Sequence, residues 1–437
     1  MGLGNIWRFP YICGKYGGGA FLIVYLVFVF LIGMVLMSSE FVVGRRSGST
    51  PMRAYARLLP PGKDGKARSG KFWMFFGLFC MITCFIIESQ YWVVSGWTAN
   101  YTWNSITGHF AAMDSDAITA HFTTFVSGTW TPIISLLIFG AITGFIVMGG
   151  VQKGVEAASK FLMPVLLVLV LVLCVRSLTL SGAREGLSYL FRPDFSRLSM
   201  EGVLAALGQA FFSLSVGMGA MVVYGSYTGK DDNLMRNAML ICASDTLVAV
   251  LAGVVIFPAI FTYYDINLVQ GGPGLVFKVL PTVFNHFGGL GVVFSTLFFL
   301  LLAIAALTSA ISLLEAMAAA RMETKGKGRK GTVILFTSLT LLTAVVLCLG
   351  NGIWSDFHVL GRNLYDLSDA LNGIYLPPIC ALGCAIFVGW VMNKNDVRDE
   401  LSNGGKLAVK WYPVYLILIR YLCPIAVLVV LISGILG

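Results

Sequence analysis

Gly2-Leu3-Gly4-Asn5-Ile6-Trp7-Arg8-Phe9-Pro10 sets two glycines, an amide, an arginine and a proline at the head of an apolar segment. A membrane helix tolerates irregular backbone and a charge at bilayer depth only where protein or an aqueous cavity satisfies the polar groups, so this stretch marks a functional site. About 210 residues on, Phe211-Phe212-Ser213-Leu214-Ser215-Val216-Gly217-Met218-Gly219 interrupts a second apolar run in the same way. Two broken helices in corresponding positions of two halves point to an ion-coupled transporter with its site near the bilayer midplane.

Composition sets the class around these two stretches. Of 437 residues, 57% are hydrophobic and 12% charged, and the mean hydropathy is +0.83. A soluble domain is roughly half apolar and a quarter charged, so the chain reads as an all-α polytopic membrane protein. Runs long enough to span a bilayer lie at 20–44, 72–106, 131–149, 154–180, 200–228, 236–264, 290–322, 332–350, 364–393 and 413–435. Residues 3–17 form a half-span, which makes eleven spans if sequence upstream of Met1 completes it. Met1 leads directly into Gly and Asn, without the basic region and apolar core of a cleavable signal peptide.

The net charge of +9 does not indicate nucleic acid, because the basic residues sit in short connections between spans. The connection from Arg45 to Lys71 holds eight Lys or Arg against Asp64, and that from Arg321 to Lys330 holds five against Glu323. Between Lys71 and Lys153 there is no Lys or Arg at all. By the positive-inside rule the basic loops are cytoplasmic, while the polar loop from His109 to Trp130, residues 17–19 and the carboxyl terminus are outside. The 181–199 loop, with Arg184, Arg192 and Arg197, departs from this alternation. All nine cysteines lie in or beside apolar spans, where they suit helix packing better than disulfides or metal. The run Lys325-Gly326-Lys327-Gly328-Arg329-Lys330 reads as a solvated cytoplasmic turn.

Gly2-Leu3-Gly4-Asn5-Ile6-Trp7-Arg8-Phe9-Pro10-Tyr11, Gly17-Gly18-Gly19-Ala20-Phe21, Gly208-Gln209-Ala210-Phe211-Phe212-Ser213-Leu214-Ser215 and Leu307-Thr308-Ser309 together resemble the neurotransmitter:sodium symporter family. The similarity runs in order over essentially the whole chain. It implies a LeuT-like five-plus-five inverted repeat with discontinuous helices 1 and 6 and an eleventh helix, as in prokaryotic members, in a bacterial inner membrane. The first repeat is then 1–180 with helix 1 truncated, 181–199 an extracellular loop and 200–393 the second repeat. Residues 394–412 become a cytoplasmic loop and 413–437 helix 11. The family's first half-helix would precede this chain.

An unwound helix frees amides for an anion and carbonyls for a cation, so an amino acid and sodium can share one break. The resemblance implies that Leu3 and Gly4 offer amides to a substrate carboxylate, and that Asn5 and Ser213 belong to the first sodium site. Close helix packing by the glycines is the alternative. Asp245 stands where an amide is commoner in the family. Of the chloride ligands of many animal members, Tyr25, Gln209 and Ser213 match here and Ala249 replaces the last serine, so Asp245 is expected to supply the charge chloride would bring, with chloride not required. The second sodium site would take Ala305, Thr308, Ser309 and Met1, although Ser and Thr in membrane helices commonly bond back to the helix or join neighbours.

The substrate pocket carried over from the family comprises Ile87, Tyr91, Phe212, Ser213, Ser215, Met218, Ser309 and Leu313, a mostly apolar set. Monoamine members have an Asp where this chain has Gly2, which favours amino acids over amines. Glu88 is unusual for the family; pairing with another helix is preferred over binding a polar substrate group or a proton. Arg8 and Asp369 look like an extracellular gate pair above a lid of Tyr91 and Phe212. Tyr227 and Glu323 match residues that close the cytoplasmic path, and Glu40 and Glu315 read as helix-pairing carboxylates without a transport role. The expected function is sodium-coupled import of a neutral, hydrophobic or aromatic amino acid in the lipid bilayer. A transport-incompetent truncated paralogue or an amino-acid sensor is the rival, and monomer and homodimer both stay open. No nucleophile motif or metal-spaced His/Cys/Asp cluster suggests an enzyme.

Overall fold

The computed structural model describes residues 2–61, 69–263 and 274–436. A π-turn at Gly4–Arg8 runs into α1 (Phe9–Lys15). There follow α2 (Gly19–Ser47), α3 (Lys71–Ile106), α4 (Trp130–Met148) and α5 (Val151–Leu178). The expected 200–228 span is two helices, α6a (Met200–Ser213) and α6b (Ala220–Tyr227), each too short to cross a bilayer alone. Then come α7 (Leu234–Tyr263), α8 (Gly291–Lys325), α9 (Arg329–Leu349), α10 (Leu364–Val391) and α11 (Tyr412–Gly434). Among the described residues nine helices are long and apolar enough to cross a membrane, which with α1 and the split α6 matches the eleven segments read from hydropathy.

Hydropathy missed the helices of the connections, because these are short or amphipathic. They are Pro51–Arg57, Ser115–Ser127, Ala183–Phe191, Leu275–Asn285 and Lys394–Leu401. Burial separates centre from periphery. In α7 61% of the most apolar window is inside the protein, against 33% in α5 and 22% in α11, so α7 is a core helix and the other two present most of their surface to lipid. The longest helices, α3 and α8, form the most extensive packed pair, while α7 packs most extensively on the π-turn at Gly4–Arg8, whose first four residues are buried.

The α6 break has a local cause. Ser215, Gly217 and Gly219 all adopt positive φ, at 53°, 80° and 75°, so the helix cannot continue. A Cβ on Gly217 would also collide with the Pro377 carbonyl. The freed Gly217 amide donates to Oε1 of the buried Glu40 on α2 at 2.8 Å. Glu40 therefore ties the broken backbone of α6 to α2, where the sequence suggested simple helix pairing. A backbone amide left unpaired at this depth would cost several kcal/mol, on the order of 2–7.

Candidate substrate and ion site

The first break is held by its own side chains. Asn5 Oδ1 accepts from the Gly2 amide at 2.9 Å, and the Asn5 amide donates to the Gly2 carbonyl at 3.1 Å. The Leu3 amide, expected to face a substrate carboxylate, donates to the Tyr91 hydroxyl at 2.9 Å. A Cβ on Gly2 would stand 2.9 Å from that hydroxyl and closer still to Ser309 Oγ, so Gly2 is the point where α1, α3 and α8 converge. A larger residue has no room there.

The three residues expected at a first sodium site do meet. Asn5 Nδ2 donates to Ser213 Oγ at 3.0 Å and to the Asp245 carbonyl at 2.8 Å, and Ser213 Oγ donates to the Asp245 carboxylate. The Tyr25 hydroxyl reaches Ser213 Oγ at 3.4 Å. Gln209 lies apart from this cluster, donating to the Gly4 carbonyl at 2.8 Å, and Ala249 is buried one turn along α7 from Asp245. At the second expected site Thr308 Oγ1 donates to the Ala305 carbonyl at 3.0 Å. Ser309 is at Gly2, while Met1 falls outside the described residues.

A narrow cleft brings Leu3, Ile87, Tyr91 and Phe212 together with Arg8 and Asp369. It also takes in Trp7, Gln90, Val94 and Gly373, which sequence reasoning missed; their only signal is helical spacing, Gln90 and Val94 lying three and seven residues beyond Ile87. Ser215, Met218 and Leu313 do not line it: Ser215 belongs to the α6 break, and Met218 and Leu313 are buried in packing. The expected Arg8–Asp369 pair is not formed among the described residues. Arg8 instead donates to Gln209 Oε1 at 3.2 Å and stacks 4.5 Å above the Phe212 ring, while Asp369 accepts from Gln90 Nε2 at 2.7 Å. Phe212 also closes on the break, since a Cβ on Gly4 would touch its ring at 3.1 Å. A wider cavity of about 750 Å³ opens elsewhere, around Arg184, Tyr189 and Arg192, and holds none of these residues.

Glu88 departs from its expected role. Its Oε1 accepts from Trp92 Nε1 at 2.5 Å within α3 itself, and its buried Oε2 has no partner among the described residues. Among the described residues it makes no helix-to-helix bond.

The model of the sodium:neurotransmitter symporter family matches residues 1–124 and 117–437. The chain belongs to this family. The symporter is 36% identical over 442 residues to an uncharacterized sodium-dependent transporter of Bacillus subtilis (strain 168), spanning 99% of this chain and 93% of that protein. An uncharacterized sodium-dependent transporter of Methanocaldococcus jannaschii is 30% identical over 94% of this chain and 83% of its own. The crystal structure of MhsT in complex with L-phenylalanine superposes with a TM-score of 0.89 at 38% identity, covering 99% of this chain and 96% of that one. The symporter is therefore a sodium-dependent transporter of LeuT-like fold, an integral membrane protein and not an enzyme.

At the opposite end of the symporter, bearing the basic connections, the expected partners are rearranged. Tyr227 and Glu323 do not meet: the Tyr227 hydroxyl donates to Glu315 at 3.2 Å, while Glu323 accepts from the Thr50 amide at 2.7 Å and lies 3.8 Å from Arg57. Glu315, read from sequence as a helix-pairing carboxylate, forms a buried ion pair with Arg329. Arg329 in turn donates to the Val147 carbonyl at 3.0 and 2.8 Å. One arginine thus joins α4, α8 and α9, and through Tyr227 reaches α6b.

Proposed function

We propose that the symporter imports a neutral, hydrophobic or aromatic amino acid by sodium-coupled alternating access. One observation carries the reading: the Leu3 amide, the Tyr91 hydroxyl and Ser309 converge on Gly2, with the Asn5, Ser213 and Asp245 oxygens beside them. Amides at a helix start favour an anion such as a substrate carboxylate, and neutral oxygens plus one carboxylate suit a hard monovalent cation. Ile87, Val94, Trp7 and Phe212 offer an apolar wall to the side chain. The phenylalanine bound to MhsT supports this class. Asn5, Ser213 and Asp245 hold the first sodium, and Ala305, Thr308 and Ser309 contribute to a second. Arg8, Asp369, Tyr91 and Phe212 close the outer path and Tyr227 the inner one, with the basic connections cytoplasmic.

Binding of each of the twenty amino acids to the purified protein, with sodium and with potassium in its place, tests the assignment. Large neutral amino acids should bind only in sodium; preference for charged amino acids or amines, or binding indifferent to sodium, would refute it. Asp245 is assigned the fixed charge that makes chloride unnecessary. Uptake should persist when gluconate replaces chloride, and the Asp245→Asn, Ala249→Ser double variant should come to require chloride. A double variant indifferent to chloride would reduce Asp245 to a structural role.

A further inference from the structure

The last turn of α4, the first turns of α5 and the start of α9 line a groove of about 550 Å³, with Phe145, Ile146, Met148 and Ala158 for its apolar part and Lys153 and Lys330 for its charge. Its shape follows from the α4–α5 turn. Gly150 takes a φ of 94°, and a Cβ on Gly154 would strike the Ile146 carbonyl, so the chain doubles back tightly and brings Lys153 beside the end of α4. Lys330 is placed by its neighbour, since Arg329 is anchored to the Val147 carbonyl.

Two features of this groove coincide. Phe145 is 74% exposed on a helix that crosses the bilayer, so its ring faces acyl chains. Several other basic groups here have carboxylate partners: Arg45 and Lys230 pair with Glu400, Arg46 with Asp396, Lys406 with Asp231 and Arg329 with Glu315. Glu156, three residues from Lys153, is taken by Lys160 at 2.6 Å. Among the described residues Lys153 and Lys330 pair with no carboxylate. Two uncompensated ammonium groups over an apolar wall at the membrane boundary complement a molecule with a negative head and a hydrocarbon tail.

We propose that this groove is a binding site for one anionic phospholipid, with the phosphate between Lys153 and Lys330 and an acyl chain along Phe145. The apolar wall, which a free phosphate would leave uncovered, favours a lipid over free phosphate as the occupant. Because Lys330 follows Arg329, the lipid braces the junction at which Arg329 holds Glu315 and, through it, Tyr227.

The test uses the intact protein in phosphatidylcholine vesicles carrying either spin-labelled phosphatidylglycerol or spin-labelled phosphatidylcholine. The parent should retain phosphatidylglycerol preferentially. Lys330→Gln should lower that preference about fivefold and the Lys153→Gln, Lys330→Gln pair about 25-fold, from the attraction of each lysine to an anionic headgroup. The Lys153→Arg, Lys330→Arg pair should keep it, and so should Lys406→Gln, whose lysine has its own partner. Both lysines are exposed, and an unchanged heat-unfolding midpoint would confirm that the glutamine pair is folded. Equal retention of the two lipids by the parent, full preference in the glutamine pair, or displacement of the labelled lipid by millimolar inorganic phosphate would each overturn the proposal.

Discussion

The two ends of the bundle keep their charges in different ways. In the cleft at the Arg8 end Arg8 and Asp369 stay apart, each satisfied by a neutral amide, Gln209 for Arg8 at 3.2 Å and Gln90 for Asp369 at 2.7 Å, and the ion pairs farther out, Lys15 with Glu201 and Arg197 with Asp194, are exposed. At the basic end buried opposite charges meet directly, as in Arg45 with Glu400 at 2.6 Å, both side chains 2% exposed, and in Arg329 with Glu315. Bonds of a charge to a neutral group contribute about 1.5–3 kcal/mol, whereas stranding one member of a buried ion pair costs about 3–5 kcal/mol. Opening the Arg8 end therefore breaks less than opening the basic end. Under the proposed alternating access, that asymmetry makes the Arg8 end the readier to open from this arrangement.

The strongest test of the comparison is Glu400. Removing it with Glu400→Gln leaves Arg45 buried against the Gly229 and Asp232 carbonyls, and should cost about 3–5 kcal/mol in unfolding at neutral pH. Burial alone would raise the Glu400 carboxyl, but Lys230 and Arg45 hold it below its ordinary value of 4.5. The contribution is therefore complete above pH 4.5 and lost as pH falls through the lower native value, so parent and variant should converge in acid. Denaturation midpoints across pH that stay equally far apart would break the argument.

Glu315→Gln comes next, with an expected loss of about 2–3 kcal/mol, discounted because Arg329 is 22% exposed. A shift within about 0.5 kcal/mol of the parent would mean that Arg329 finds an equal partner elsewhere. At the other end Gln209→Ala should lower stability by only about 1.5 kcal/mol, the low end for a bond to a charge, because Arg8 is only partly buried. Arg8→Ala should do the same yet abolish uptake, because the lid beneath it loses its cation. If Arg8→Ala destabilised as much as Glu400→Gln, the two ends would not differ.

The smallest effect concerns the Ser115–Ser127 helix at the Arg8 end. Burial, and then the neighbouring His109 ring 5.2 Å away, lower the His121 imidazole from its ordinary 6.5. The native state then binds fewer protons than the unfolded one, so this helix should lose stability as pH falls below 6.5, by less than about 1 kcal/mol. Amide exchange across 115–127 at two pH values reads the change, and His121→Gln should remove it. Faster exchange in acid that persists in His121→Gln would assign it to another group.

The frame of eleven segments and the two breaks were legible in the residues, and the resemblance to the family brought Asn5, Ser213 and Asp245 together. Apolar run length reports directly on bilayer crossing, and glycines, a proline and polar groups inside such runs report directly on interrupted backbone. Tertiary structure alone decided who partners whom. Glu40 and Glu315 look alike in sequence, as single acids in apolar helices, yet one caps the Gly217 amide and the other holds Arg329 and Tyr227. Arg8 and Asp369 carry complementary charges and still do not pair, because Gln209 and Gln90 reach them first. Glu323 is drawn to Thr50, far from Tyr227. Each of these bonds joins residues on different helices, and which faces meet is set by how the helices cross and rotate against one another, a geometry that local spacing does not carry.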